Sequence, residues 1–166
     1  MIHKLVLAAV VLLVGGLLVT PQAQAQSIGQ CTNAELKASY RSSGAGLSHH
    51  YGRIVLRNVS GHACRTGGYG GVSYVGHGDG TQIGAAAERT RSRVRTLVVR
   101  PGQRVVSALD ETSVAPYPRH RCRPAHVDGF RIYLPNATRS QYVVHPTTGC
   151  RNHRVHLLAH KAYRRP

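Results

Sequence analysis

The sequence predicts an all-β domain, a sandwich or a barrel, and three observations lead there. About eight short runs rich in Val, Ile, Leu and Tyr recur along the chain. Turn signals built on Gly, Pro, Asn and Asp separate them at regular spacing, and no stretch carries a convincing helical period. Four cysteines, Cys31, Cys64, Cys122 and Cys150, follow a secretory leader and read as two disulfides in an oxidising compartment. None of them lies in a C-x-x-C pair, so a zinc site is a poor reading. Three connectivities are open on spacing alone.

The leader is read from its three parts. His3 and Lys4 give a positive start, Leu5–Val19 is an apolar run of fifteen, and Ala23-Gln24-Ala25 is a small-residue cleavage site. Met1–Ala25 is therefore expected to be removed on export, leaving a mature chain that starts at Gln26 and has no membrane span. Gln30 is not small, so Cys31 carries no lipobox. The full chain has 22 Lys+Arg against 6 Asp+Glu, and losing Lys4 with the leader takes its formal charge from +16 to +15. Residues 26–160 form one predicted domain, with 161–166 as a basic disordered tail.

Within the domain, Glu35–Tyr40 is a weak first strand and Ser42–His50 a loop rich in Gly and Ser. Tyr51–Val59 is a strong strand, with Ile54 and Leu56 on one face and Arg53, Val55 and Arg57 on the other. Asn58 to Gly61 closes it as a turn. Tyr69–Val75 is entered through glycines, and Asp79-Gly80 is a hairpin turn signal because both residues tolerate positive φ. Val94–Val99 follows, then a Pro101-Gly102 turn and Val105–Leu109. Val114–Pro124 holds several prolines and reads as a loop. Gly129–Leu134, Tyr142–Val144 and Val155–Leu158 complete the strands. The sequons at Asn58 and Asn136 read as turn residues.

The order Cys31, Arg53–Asn58 (RIVLRN), Ser60-Gly61, Cys64, Gly68–Ser73 (GYGGVS), Pro101-Gly102, Cys122-Arg123-Pro124 and Cys150 resembles a bacterial secreted domain of unknown function, family 4232. The likeness runs from Cys31 to Leu158. It implies an exported or surface-attached immunoglobulin-like β-sandwich with pairs Cys31–Cys64 and Cys122–Cys150, and it assigns no activity. This chain departs from the family in being far more basic.

The catalytic inventory is thin. There is no G-x-S-x-G elbow, and disulfide pairing removes every thiol nucleophile. Asp110 and Glu111 are adjacent, so in an extended chain they point to opposite faces and cannot act as a pair. No carboxylate lies close in sequence to the late histidines His145, His153, His156 and His160, so no second shell for a metal is visible and no ligands are assigned. A non-enzymatic domain without cofactor, metal or small-molecule substrate is the expectation. Only a concave pocket holding a desolvated carboxylate beside a histidine would favour hydrolysis.

The arginines say more. Arg89, Arg91, Arg93 and Arg95 alternate with Thr90, Ser92 and Val94. An extended segment would line them on one face at roughly 7 Å spacing, close to the charge repeat of a polyanion. Arg119, Arg121 and Arg123 repeat the pattern, and a Cys122–Cys150 bond would bring Arg151 beside them. The expected partners are anionic polymers of the cell envelope or other polyanions. The alternative is a structural or protein-interaction module with no specific ligand, its charge serving only solubility.

Overall fold

The computed structural model describes residues 27–166, so the expected leader and the mature start at Gln26 lie outside the described residues. In chain order the elements are β1 (Leu36–Gly46), β2 (His49–Asn58), β3 (Cys64–Gly67), β4 (Gly71–Gly76), β5 (Thr81–Ile83) and β6 (Glu88–Arg89). They continue as β7 (Thr96–Val99), β8 (Arg104–Thr112), a single helical turn α1 (Arg119–Cys122), β9 (Pro124–Tyr133), β10 (Ser140–Cys150) and β11 (Leu158–His160). The strands form a sandwich. One sheet has the order β1-β2-β8-β11-β6, the other β10-β9-β4-β5, and a small ribbon pairs β3 with β7.

Period-two alternation decides which side chains meet between the sheets. Ile54 and Leu56 of β2 and Val105 and Leu109 of β8 point inward against Tyr74 of β4 and Phe130 and Ile132 of β9, all buried. Each such side chain contributes roughly 1.5–3 kcal/mol when fully buried. The open side between β1 and β10 is closed by one amide. Gln141 accepts the Ala38 N–H at 2.9 Å and donates to the Leu36 carbonyl, standing in for a strand partner. The disulfides are Cys31–Cys64 and Cys122–Cys150, the pairing the resemblance implies. The first ties the N-terminal lead to β3, and the second ties α1 to the end of β10. Two such bonds are what an oxidising compartment permits.

Several boundaries differ from the sequence reading. Ser42–His50 is not a loop: β1 and β2 continue through it as a hairpin, with Gly44 opposite Tyr51 and Gly46 opposite His49. Leu47 and Ser48, at φ 48° and 65°, form the two-residue turn that suits strand twist. A bulge at Ser42/Gly44 offsets the low strand propensity of that Gly/Ser run by bending it. The strand expected over Val94–Val99 starts only at Thr96, and Val94 is exposed. The one expected over Val155–Leu158 starts at Leu158.

Lys161–Pro166 is not a disordered tail. Tyr163 is only 1 % exposed, and the segment continues beside β8 and the β3–β4 connection. Lys161 donates its N–H to Ala108 O, Tyr163 to Gly68 O, and Arg164 and Val106 exchange both backbone bonds at 2.8 and 2.9 Å. The basic residues concealed an apolar anchor, Ala162-Tyr163, and the domain runs to Pro166.

Asn58 is fully buried and saturated. Its amide donates to Val99 O and His62 O, each at 2.8 Å, and its carbonyl accepts from Ser60. It pins the end of β2 to β7, and its side chain is unavailable for modification.

His160 is the other buried polar group with a consequence. It packs edge-on to Tyr69, with Nδ1 3.3 Å from Ser107 Oγ and Nε2 unpartnered. Burial, reinforced by the Arg89 charge, pushes its pKa down to about 4 from 6.5. The folded state thus refuses a proton that the unfolded chain accepts. Stability is whole above pH 6.5 and falls as the pH drops toward 4, by about 3 kcal/mol over the window. Urea unfolding across that range should show the slope in the native protein and a flatter one in His160→Gln.

Candidate polyanion-binding site

The acids explain the charge pattern better than the arginines do. Among the described residues every carboxylate within ion-pair distance of a basic side chain is paired with a histidine, which is charged only when its ring is protonated. The pairs are His49–Asp110 at 2.6 Å, His62–Glu35 at 2.7 Å, His145–Glu111 at 2.8 Å, and His126–Asp128 and His156–Glu88 at 3.3 Å. The remaining acid, Asp79, accepts the Thr81 N–H in the β4–β5 turn. The Lys and Arg side chains of the described residues therefore meet no internal counter-charge.

The register then collects them. Lys37 of β1 lies opposite Arg57 of β2, which lies opposite Arg104 of β8. Four register positions along, and so on the same face, Arg41 lies opposite Arg53. All five side chains point out of the sandwich on the face that also carries Val55 and Val106, because strand parity puts them there. Arg164 joins them through its bridge to Val106. Arg41, Arg53, Arg104 and Pro166 wall a depression of about 470 Å³ floored by Val55 and Val106. Neighbouring strands are 4.7–4.9 Å apart, so like charges directly opposite repel and destabilise the sheet until an anion intervenes. Asp110 and Glu88 lie at the far end and edge of this face, each held by its histidine.

The predicted stripe is only partly a stripe. Arg89, Arg91, Arg93 and Arg95 are all exposed, but ladder pairing ends at Arg89. Beyond it the chain is anchored by hydroxyls: Thr90 Oγ1 donates to His160 O, and Ser92 Oγ accepts the Ala162 N–H at 2.7 Å. Arg89 turns onto the Tyr69 ring, 5.8 Å from its centroid, and toward Gly70 O, so it does not share one face with the others. Arg93 and Arg95 instead line a groove of about 350 Å³ with Lys161, Arg164 and Arg165.

Arg119, Arg121 and Arg123 repeat the i, i+2 spacing within a segment that reads as a loop. Arg119 and Arg121 lie in α1, where residues two apart face different ways, and Arg123 caps it at φ 51°. Arg151 does come beside them, donating its N–H to Arg123 O at 3.1 Å across the Cys122–Cys150 bond. All four are exposed, without the common face that extension would give.

A second arrangement had no signal in the sequence. Glu111, at the end of β8, is buried between the sheets. It accepts hydrogen bonds from Tyr40 Oη at 2.7 Å, Tyr74 Oη at 2.8 Å and His145 Nε2 at 2.8 Å. Burial alone would raise its pKa, but these three donors outweigh that and hold it below the usual carboxylate range. Its contribution to stability is present above the ordinary carboxylate pKa of 4.5 and is lost as the pH falls through the depressed value. The phenols of Tyr40 and Tyr74 are driven the other way by burial and the adjacent carboxylate, and stay protonated. Gly52 is required here, since a Cβ would run into the Tyr40 ring. Among the described residues no group of three potential ligands is placed to hold a metal ion, and no helix is long and apolar enough to cross a membrane.

Neither a curated protein nor a solved structure gives a significant match. One family model does, over residues 31–159, which takes in both disulfides and nearly all of the sandwich. The chain belongs to the family described as a domain of unknown function, DUF4232.

Proposed function

We propose that this is an exported, non-enzymatic domain that binds anionic polymers of the cell envelope, or polyanions of similar charge density. The pocket that sets Glu111 beside His145 has the outline that would favour hydrolysis, but Glu111 is committed to three hydrogen bonds and no second carboxylate lines it. Binding uses the outer face of the β1-β2-β8 sheet and continues over the Arg93/Arg95 groove. The observation that carries the reading is the cross-strand row Lys37–Arg57–Arg104 beside the pair Arg41–Arg53, in a domain where five of the six acids are taken up by histidines. A rigid sheet presents these groups at fixed spacing, and guanidinium groups take phosphate or carboxylate oxygens two at a time.

Thermal unfolding with and without polymer tests this. An anionic polymer should raise the melting temperature at low salt, since it binds the folded sheet and relieves repulsion across the strands. The rise should vanish at high salt, and a neutral dextran should give none. Equal shifts from both polymers, or an anionic effect indifferent to salt, would contradict the proposal and leave a structural module with a solubilising surface.

A further inference from the structure

The depression above Glu111 is chemically unlike the rest of the surface. It has a volume of about 470 Å³, within the range of small-molecule sites, and no Lys or Arg lines it. Ser42, Thr112, Ser113, Thr147 and Thr148 are among the residues around its wall, and strand parity puts the hydroxyls of Ser42, on the side of Tyr40, and Thr147, opposite Val127, on the face turned toward it. Two bulges border it, at Ser42/Gly44 in β1 and at Val144/Thr147 in β10. The second contains His145-Pro146, so the histidine is re-aimed by an irregularity of the strand, a device found beside functional sites.

His145 is fixed on three sides. Its ring stacks on Phe130 at 4.5 Å, meets Tyr40 edge-on at 4.6 Å, and its Nε2 is bonded to Glu111. Nδ1 has no protein partner and is not buried. A carboxylate on one ring nitrogen sets the tautomer and leaves the other as an oriented acceptor. Glu111 itself is only 3 % exposed and already accepts three hydrogen bonds, so it offers little to a cation. The missing Lys and Arg argue equally against an anion.

We infer that this pocket binds a neutral saccharide unit. His145 Nδ1 accepts one sugar hydroxyl, and the Ser and Thr hydroxyls, which both donate and accept, meet others of the same dual character. Glu111 acts as a positioning residue for the imidazole. The site is independent of the cationic sheet face, on the other side of the same sheet.

The test is to titrate glucose and N-acetylglucosamine, with choline as the cationic comparison, into the protein while following the His145 imidazole by NMR. Either sugar should shift the His145 ring signals, with no dependence on salt. His145→Phe keeps the stacking and removes the acceptor, and its sugar binding, followed through the backbone amide signals of the pocket residues, should weaken by about fivefold or more. The change Thr147→Val keeps side-chain shape and should also weaken it, which serves if His145→Phe fails to fold. A His145 signal unmoved by sugar, undiminished binding in these variants, or a shift caused by choline alone would overturn the assignment. Sugar binding should persist in a protein whose sheet-face cations are replaced, so failure here is distinct from failure of the polyanion proposal.

Discussion

Replacing Cys64 by Ser should cost about 3.5–4 kcal/mol in the chain-entropy limit, and lower the melting temperature by roughly 10–15 °C. The Cys31–Cys64 bond closes a loop with a sequence separation of 33, so its loss frees a large set of unfolded conformations. The folded state suffers as well. Cys64 is buried where β3 meets β7, and Cys31 holds the N-terminal lead in place through its backbone bond to Arg65 O at 2.7 Å. Calorimetry of the oxidised native protein and the variant gives the size of the effect, and thiol titration of the variant should find Cys31 free. Peptide mapping that joined Cys31 to Cys122 or Cys150 in the native protein would contradict the pairing.

What could be read in advance was whatever depends on near neighbours. The alternation of Ile54 and Leu56 with Arg53 and Arg57 fixed β2 and both of its faces, and Asp79-Gly80 marked the β4–β5 turn. Strands of two to four residues such as β3, β5 and β6 gave no pattern, because so short a run holds only one or two alternations. The β1–β2 hairpin extension was hidden for another reason. Gly44 and Ser42 have poor strand propensity, and only the pairing with β2 keeps them extended. The tail misled through composition: its charges suggested disorder, while two residues, Ala162 and Tyr163, supplied enough burial to dock it.

The proposed binding face was legible only in its strand parity, and the sequence reading placed polyanion binding on other arginines. Arg53 and Arg57 were visible as one exposed face, but their neighbours Lys37, Arg41 and Arg104 come from other strands, and register is not written in any single segment. The histidine–carboxylate pairs were invisible because most join residues far apart. His49 and Asp110 are separated by 61 positions, and His145 and Glu111 by 34. Adjacent Asp110 and Glu111 do point to opposite faces, as parity requires. That is what sends Asp110 out to the charged face and Glu111 into the pocket.

The most direct measurement compares two charge-matched variants in binding to a single-stranded phosphodiester polymer over a range of salt. One changes Lys37, Arg41, Arg57 and Arg104 to Gln, emptying the sheet face. The other changes Arg119, Arg121, Arg139 and Arg154 to Gln, all exposed and none on that face. Both sets keep length and polarity, and relief of cross-strand repulsion should leave the first at least as stable as the native protein. If the sheet face is the site, the first variant should lose affinity on the order of a hundredfold at moderate salt. Its log-affinity slope against log-salt should fall by about 0.7 for each lost contact, while the second variant changes little. Equal losses in the two variants would show that net charge alone attracts the polymer, and no loss in either would show that the arginine face is not a binding surface.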